Sequence, residues 1–401
     1  MSARPKLMLL AALCLALLLA GCAGQNLLSG INIRPLVISP NADGEADVAE
    51  IHYTVSRTAL VSIALVDEAG VRHPLRVSER RSRGERTIYF GGVIDGALLP
   101  DGQYRVEFEA VDMRGRKQSA QAAITLEGGD TLPLVIDNLS VFPDRFTPNR
   151  DGIGDRVRIG YNLSKEVLRV EVYLLGADGT KYPVPEDEIR LDGAPGTHEH
   201  DYDGGIDLGA SPPPDGEYTV VVRAVDAVGN IAEERSSLTI EEGGVPLVEI
   251  VNRAATFEPS MLPLHGTLYF TCTVRNIGRV PVRTKGPEPG TVYSTGFNYN
   301  TLQEYEEPGL FRVGLDYEGN SAGRTFPFRW QLGMDDELTL VQTDSGPQLY
   351  LMPGQTVQVT GGLTVDDLPV KDAPYYWLGL IHEQVWIVQD RIAPTQIAIA
   401  Y

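Results

Sequence analysis

The chain has 401 residues and a formal net charge of −20, from 34 Lys or Arg against 54 Asp or Glu. So acidic a balance argues against nucleic acid as a partner and against adhesion to anionic lipid, since both need a cationic patch. The length suggests two to four domains.

The first segment is a leader. Arg4 and Lys6 precede a nearly unbroken apolar run from Leu7 to Ala20. That run has the length of a secretory core and is too short for a comfortable membrane span. It ends at Leu19-Ala20-Gly21-Cys22, which resembles the lipobox of bacterial lipoproteins in all four positions. The resemblance implies that residues 1–21 are removed, that Cys22 carries diacylglycerol, and that 22–33 form a tether. Two or three acyl chains anchor stably where one does not. Ala23, where an inner-membrane retention signal would place Asp, points to the outer membrane or cell surface. The bland alternative is an ordinary signal peptide with an incidental cysteine. Of three cysteines, Cys14 leaves with the leader and Cys22 takes lipid, so Cys272 alone remains and no intramolecular disulfide can form.

Two segments then repeat. Ser39-Pro40-Asn41-Ala42-Asp43-Gly44, with Asp47, Ile51, Tyr53 and Ser56, returns at an offset of 108 as Thr147-Pro148-Asn149-Arg150-Asp151-Gly152, with Asp155, Ile159, Tyr161 and Ser164. Pro100-Asp101-Gly102-Gln103-Tyr104 matches Pro214-Asp215-Gly216-Glu217-Tyr218, and Ala110-Val111-Asp112 matches Ala224-Val225-Asp226, now at an offset of 114. The extra length is expected around Gly193 to Pro214. Val106, Phe108 and Ala110 alternate with Arg105, Glu107 and Glu109, the period of a half-buried strand. Short strands at this spacing with turn signals predict an all-β chain of tandem Ig-like β-sandwiches, at 34–129 and 130–244.

These motifs resemble the Ig-like domain named after the flagellar hook-capping protein and related tandem modules of bacterial surface proteins. The opening Ser/Thr-Pro-Asn-x-Asp-Gly, the Pro-Asp-Gly-x-Tyr before a late strand, and Asp226-Ala227-Val228-Gly229-Asn230 at its end carry the likeness. It implies a sandwich fold and leaves function open, because such modules serve as spacers, adhesins and assembly parts.

Residues 245–401 lack the repeated loop. Val274-Arg275-Asn276-Ile277-Gly278 and Leu351-Met352-Pro353-Gly354 resemble the adhesion-type sandwich domains of bacterial exported proteins. All three Trp lie here, so this segment is expected to be the functional head. Cys272, in the apolar run Tyr269 to Val274, reads as a buried inert thiol.

Three groups of side chains are candidate sites. Asn41, Asp43 and Asp47, and likewise Asn149, Asp151 and Asp155, place oxygens at alternate positions of a tight loop, as calcium requires. Asp101 and Asp215 are expected at the same pole and would add oxygens; Asp112 and Asp226 fall at the opposite pole. The competing reading is turn chemistry, since Asn and Asp bond their own backbone without an ion. His198-Glu199-His200-Asp201 is expected in a solvated loop, short of a zinc ligand set. Tyr375, Trp377 and Trp386 are candidates for stacking on sugar rings, although aromatics on strands more often face a core.

No nucleophile elbow, His-Glu-x-x-His, phosphate loop or dinucleotide fingerprint is present, so the chain reads as non-enzymatic. The expected function is a cell-envelope lipoprotein whose stalk presents a C-terminal interaction domain to a protein partner. The alternative is a carbohydrate-binding surface lipoprotein. Hinges are expected at Gly128-Gly129 and Gly243-Gly244.

Overall fold

Alternation writes the first sandwich. Ala49, Ile51, Tyr53 and Val55 turn inward along the strand Ala49–Val55, while Glu50, His52 and Thr54 turn outward. Val106, Phe108 and Ala110 do the same from the facing sheet, so the two inner faces interdigitate. Each large aliphatic or aromatic side chain removed from water in this way contributes about 2 kcal/mol. The computed structural model that shows this describes residues 26–185, 193–251, 255–321, 323–343, 345–367 and 369–400. Cys22 and the expected leader lie outside the described residues.

In each repeat a three-stranded sheet packs on a five-stranded one. In the first, Ala49–Val55 lies between Leu28–Arg34 and Gly84–Phe90, and the second sheet runs Val37–Ile38, Lys117–Leu126, Gly102–Asp112, Ala59–Val66, Arg72–Arg81. The second repeat has the same order, with Ile136–Phe142, Val157–Leu163 and Gly196–Tyr202 facing Arg145–Phe146, Ile231–Ile240, Gly216–Val225, Arg169–Gly176 and Lys181–Pro183. The all-β, tandem Ig-like architecture expected from the repeats is therefore present. The first strand begins at Leu28, inside the expected 22–33 tether, because Ile31 and Ile33 alternate with Asn32 and Arg34 and the strand pairs with Ala49–Val55 across a register shift between Ser29 and Asn32.

The repeated motifs have local causes. Tyr104 Oη donates to the Pro100 carbonyl at 2.7 Å and Tyr218 Oη to that of Pro214 at 2.6 Å. This is the tyrosine corner of Ig-like sandwiches, and it explains Pro-Asp-Gly-x-Tyr. Asp226 accepts the amides of Val228, Gly229 and Asn230, closing the turn that follows the strand.

His198 and His200 do not sit in a solvated loop. The strand Gly196–Tyr202 takes the place that Gly84–Phe90 has in the first repeat, and most of the extra length precedes it. Both imidazoles are buried and stacked on Tyr161, at 5.2 and 5.7 Å between centroids.

The third segment is a larger sandwich. One sheet orders Val248–Ile250, Thr267–Asn276, Thr356–Thr364 and Val292–Ser294; another orders Phe328–Trp330, Phe311–Tyr317, Tyr375–His382 and Trp386–Gln396. Trp330, Phe270 and Tyr293 meet edge to face in its core. Cys272 is fully buried there, and burial pushes its thiol up to about 12. Buried Asn276 donates to the carbonyls of Val280 and Leu351 and accepts from Gly278, which accounts for the Asn-x-Gly turn.

Candidate functional site at the module junctions

The two acidic loops fold alike. Asp47 accepts the amides of Asn41, Ala42 and Gly44, Asn41 accepts that of Asp43, and Asp43 that of Glu45, all within 2.8–3.1 Å. In the second loop Asp155 accepts from Asn149 and Gly152, Asn149 from Asp151, and Asp151 from Ile153, within 2.6–3.1 Å. Asp101 does not join the first loop as a ligand. Its carboxylate accepts the amides of Gly128 and Gly129, and Asp215 those of Glu242 and Gly243. Among the described residues no group of three or more His, Cys, Asp or Glu converges as an ion site. The bonds from these Asn and Asp oxygens to backbone amides a few residues away are those of turn chemistry.

The same contacts overturn the expected hinges. A free Gly-Gly pair swivels, but here Asp101 holds both amides of the first pair, and at the second Asp215 holds the Gly243 amide while that of Gly244 donates to the Pro148 carbonyl at 2.9 Å. Asp101 and Asp215 are thus fasteners of the linkers.

Each loop faces the next module. Against the first repeat, Leu98 N donates to Asn230 Oδ1 at 2.6 Å and Ile231 N to the Gly96 carbonyl at 2.7 Å. Lys165 bridges Asp226, at 2.9 Å, and Asp130 of the linker. Asp226 therefore lies at the pole opposite the 149–155 loop, as its place in the repeat implies.

The second junction is tighter. Tyr350 Oη donates to Asp151 Oδ2 at 2.6 Å, and His382 Nε2 donates to the Arg150 carbonyl at 2.7 Å. Gly152 and Gly309 bring two backbones together: a Cβ on Gly309 would lie 2.1 Å from the Asp151 carbonyl carbon, and one on Gly152 2.1 Å from the Pro308 oxygen. Both have left-handed φ, +83° and +80°. Only glycine meets both conditions. Burial raises the Asp151 carboxyl above its ordinary value; burial, then the neighbouring Asp151, push Asp155 up to about 6. Burial lowers His382 to about 4, so its imidazole is neutral near pH 7.

Beside this contact opens a cleft of about 530 Å³, lined by Arg150, Arg156, Asp155, Asp203, Asp207 and Trp386 among others. Arg156 pairs with Asp201 and Asp207 at 2.8 and 2.7 Å, and Arg150 with Asp207 at 3.0 Å. Trp386, expected in a core strand, is 62% exposed at the rim. Tyr375 is 45% exposed and Trp377 half-buried under Arg391. The three form no single row. Tyr375 pairs with Gln396 at one end of the hairpin and Trp386 with His382 at the other, about 23 Å apart along the strand.

Sequence reasoning missed the support behind the junction. Arg312, fully buried, and Arg329 both donate to Glu383 Oε1, at 3.1 and 3.0 Å, while Glu383 Oε2 accepts the Glu307 amide. Glu383 adjoins His382 and heads the turn that carries Trp386. The available signal was a cation inside two apolar strands, Phe311-Arg312-Val313 and Phe328-Arg329-Trp330. A buried guanidinium needs a buried carboxylate.

No family model matches the chain, and no curated protein matches it. Among solved structures it is similar to a tetra-tandem repeat from the extending region of a large adhesion protein, at 16% identity over 88% of this chain and 81% of that one, with a TM-score of 0.19. It is also similar to a Ca²⁺-stabilised, ice-binding adhesin of an Antarctic bacterium, at 13% identity over 86% and 75% with a TM-score of 0.20. A third likeness is to a 1.5-MDa bacterial ice-binding adhesin, at 13% identity over 85% and 98% with a TM-score of 0.19. Likenesses this slight have no bearing on function.

Proposed function

We propose that this chain is a non-catalytic, exported lipoprotein of the cell envelope, fastened to the outer membrane or cell surface through Cys22. Its Ig-like modules act as an arm that presents the C-terminal sandwich to a protein partner, in adhesion, scaffolding or envelope assembly. The observation that carries this reading is the interlocking of both junctions. Direct hydrogen bonds join successive modules, and a carboxylate holds each Gly-Gly linker. An arm so fastened transmits position, which a flexible string does not. Two measurements test it. The amino-terminal peptide of natively produced protein should carry diacylglycerol on Cys22. Photo-crosslinkers placed in cells at Val370, an exposed head position, should capture a partner, whereas the same group at Val77 of the first repeat should not. An unmodified terminus or equal capture at both sites contradicts the proposal.

A carbohydrate reading is favoured by one observation, the exposed Trp386 indole at the rim of a cleft furnished with guanidinium and carboxylate groups. Stacking on a sugar ring with flanking hydrogen bonds suits that set. A glycan screen of the whole chain against the Trp386→Ala variant tests it; equal retention of every glycan by both would remove it.

A further inference from the structure

We infer that the first repeat carries, at the pole where the chain enters it, a docking surface for the anionic phosphate headgroups of a lipid bilayer. Strand register defines that pole. Leu28 pairs with Val55, Val55 with Gly84, and Ala59 with both Arg81 and Asp112. The start of the first strand and the turns 55–59, 81–86 and 111–117 therefore gather at one end. These turns hold seven Arg or Lys and two carboxylates, Glu85 and Asp112. The chain as a whole carries −20, so this end is opposite in sign to the rest.

Four of the seven cations have an ion pair, Arg81 with Glu79 among them, and Arg83, Arg86 and Arg114 have none among the described residues. Asp112 is buried between Arg57, at 2.8 Å, and Arg116, at 2.7 Å. Although burial pushes Asp112 upward, the Arg116 amide and the Arg57 guanidinium outweigh it and hold the carboxyl well below the usual range. One buried charge thus serves two cations. Lys117 reaches Glu109 at 2.8 Å. Arg86 donates to the oxygens of Ser82, which are neutral. Arg83 and Arg114 are exposed at the turn tips and have no ion pair among the described residues. Met113, next to Arg114 in the chain, is 67% exposed.

The second repeat supplies an internal comparison. Its equivalent pole meets protein, and among the described residues of its turns Lys165 is the cation, used in the linker bridge, with Val228 and Asn230 in place of Arg114 and Arg116. The same fold position has cations at 114 and 116 in the first repeat and uncharged residues at 228 and 230 in the second, where it docks on a module. Cys22 lies six residues before Leu28, a reach of at most about 20 Å. An acyl group there holds this pole against the headgroups. The expectation from net charge, that anionic lipid is avoided, fails because screening limits each charge to a range of about 8 Å. Juxtamembrane Lys and Arg are attracted to anionic lipid one by one. The orientation rests on the lipid-anchor reading; the charge on the pole does not.

The test uses the leaderless chain with Cys22→Ser, which carries no acyl group. It should float with phosphatidylcholine vesicles containing about a third phosphatidylglycerol and not with pure phosphatidylcholine, and raised salt should release it. The double variant Arg83→Glu/Arg114→Glu should bind at least about tenfold more weakly. Its melting should be unchanged, because neither side chain holds a protein partner. The control Arg275→Glu, on the head, should bind like the parent. Equal flotation with both vesicles, none with either, retention on a soluble polyanion without vesicle binding, or a double variant that binds like its parent would overturn the proposal. Salt-sensitive flotation beside an unmodified native terminus would leave this pole standing and remove the anchor; the reverse pair of results would do the opposite.

Discussion

Replacing Tyr350 by Phe deletes one oxygen at the second junction and nothing from any core. Tyr350 and Asp151 are both buried, and the phenol donates to Asp151 Oδ2 at 2.6 Å. A hydrogen bond to a charged group contributes about 1.5–3 kcal/mol, and a carboxylate left buried without it pays the full desolvation. Taking about 2 kcal/mol, the open form of the junction should become roughly 30-fold more populated. Hydrogen exchange followed by mass spectrometry reads this directly, as lost protection of amides in 149–155 while those of Ala49–Val55 stay protected. A pH arm sharpens it. The phenol favours ionised Asp151, so its loss raises the Asp151 carboxyl further. The deficit should then be largest at the alkaline end, where the carboxyl is ionised, and shrink as acidification neutralises it. Unchanged protection in 149–155, or a deficit that grows on acidification, would refute the reasoning.

The junction also carries two titrations of opposite sign. Asp155, at about 6 against an ordinary 3.8, binds more protons folded than unfolded, so its contribution is lost as pH rises from about 4 to 6. His382, at about 4 against 6.5, binds fewer, so its contribution is lost as pH falls through the same range. Chemical denaturation of the parent should be nearly flat over that window. Asp155→Asn should make stability rise with pH and His382→Gln should make it fall, each by about 2 kcal/mol across the window; slopes of the reverse sign would contradict this. Gly309→Ala forces a Cβ to 2.1 Å from backbone and should cost about 3 kcal/mol or more of junction stability; a melting transition like the parent's would contradict the close approach. Chelation should leave the melting of the mature chain in place, since amides already hold the acidic loops; a fall of several degrees would establish calcium at Asn41 to Asp47 or Asn149 to Asp155.

What the sequence disclosed was local. Alternation gave the strands, and Asn and Asp two residues before an amide gave the turns, because both depend on neighbours in the chain. The hinges were misread because Asp101 reaches Gly128 across a sheet, and nothing beside Gly128 announces it. His198 and His200 looked like loop residues because the extra length of the second repeat was placed over them instead of before them. Aromatics on strands more often face a core, yet Trp386 opens its strand exposed. Arg312, Arg329 and Glu383 were invisible as a group because three separate strands or turns bring them together. The basic pole hid in the same way: its cations come from three turns, and the net charge averaged them out.

The claim underneath this account is that successive modules are fastened to each other. Spin labels at exposed positions of the first repeat and the head, such as Val77 and Val370, measure it by pulsed dipolar spectroscopy on the intact chain. The account requires one narrow distance distribution, unchanged by chelator and broadened by Gly309→Ala. A broad distribution in the parent chain, spanning many orientations, would contradict it.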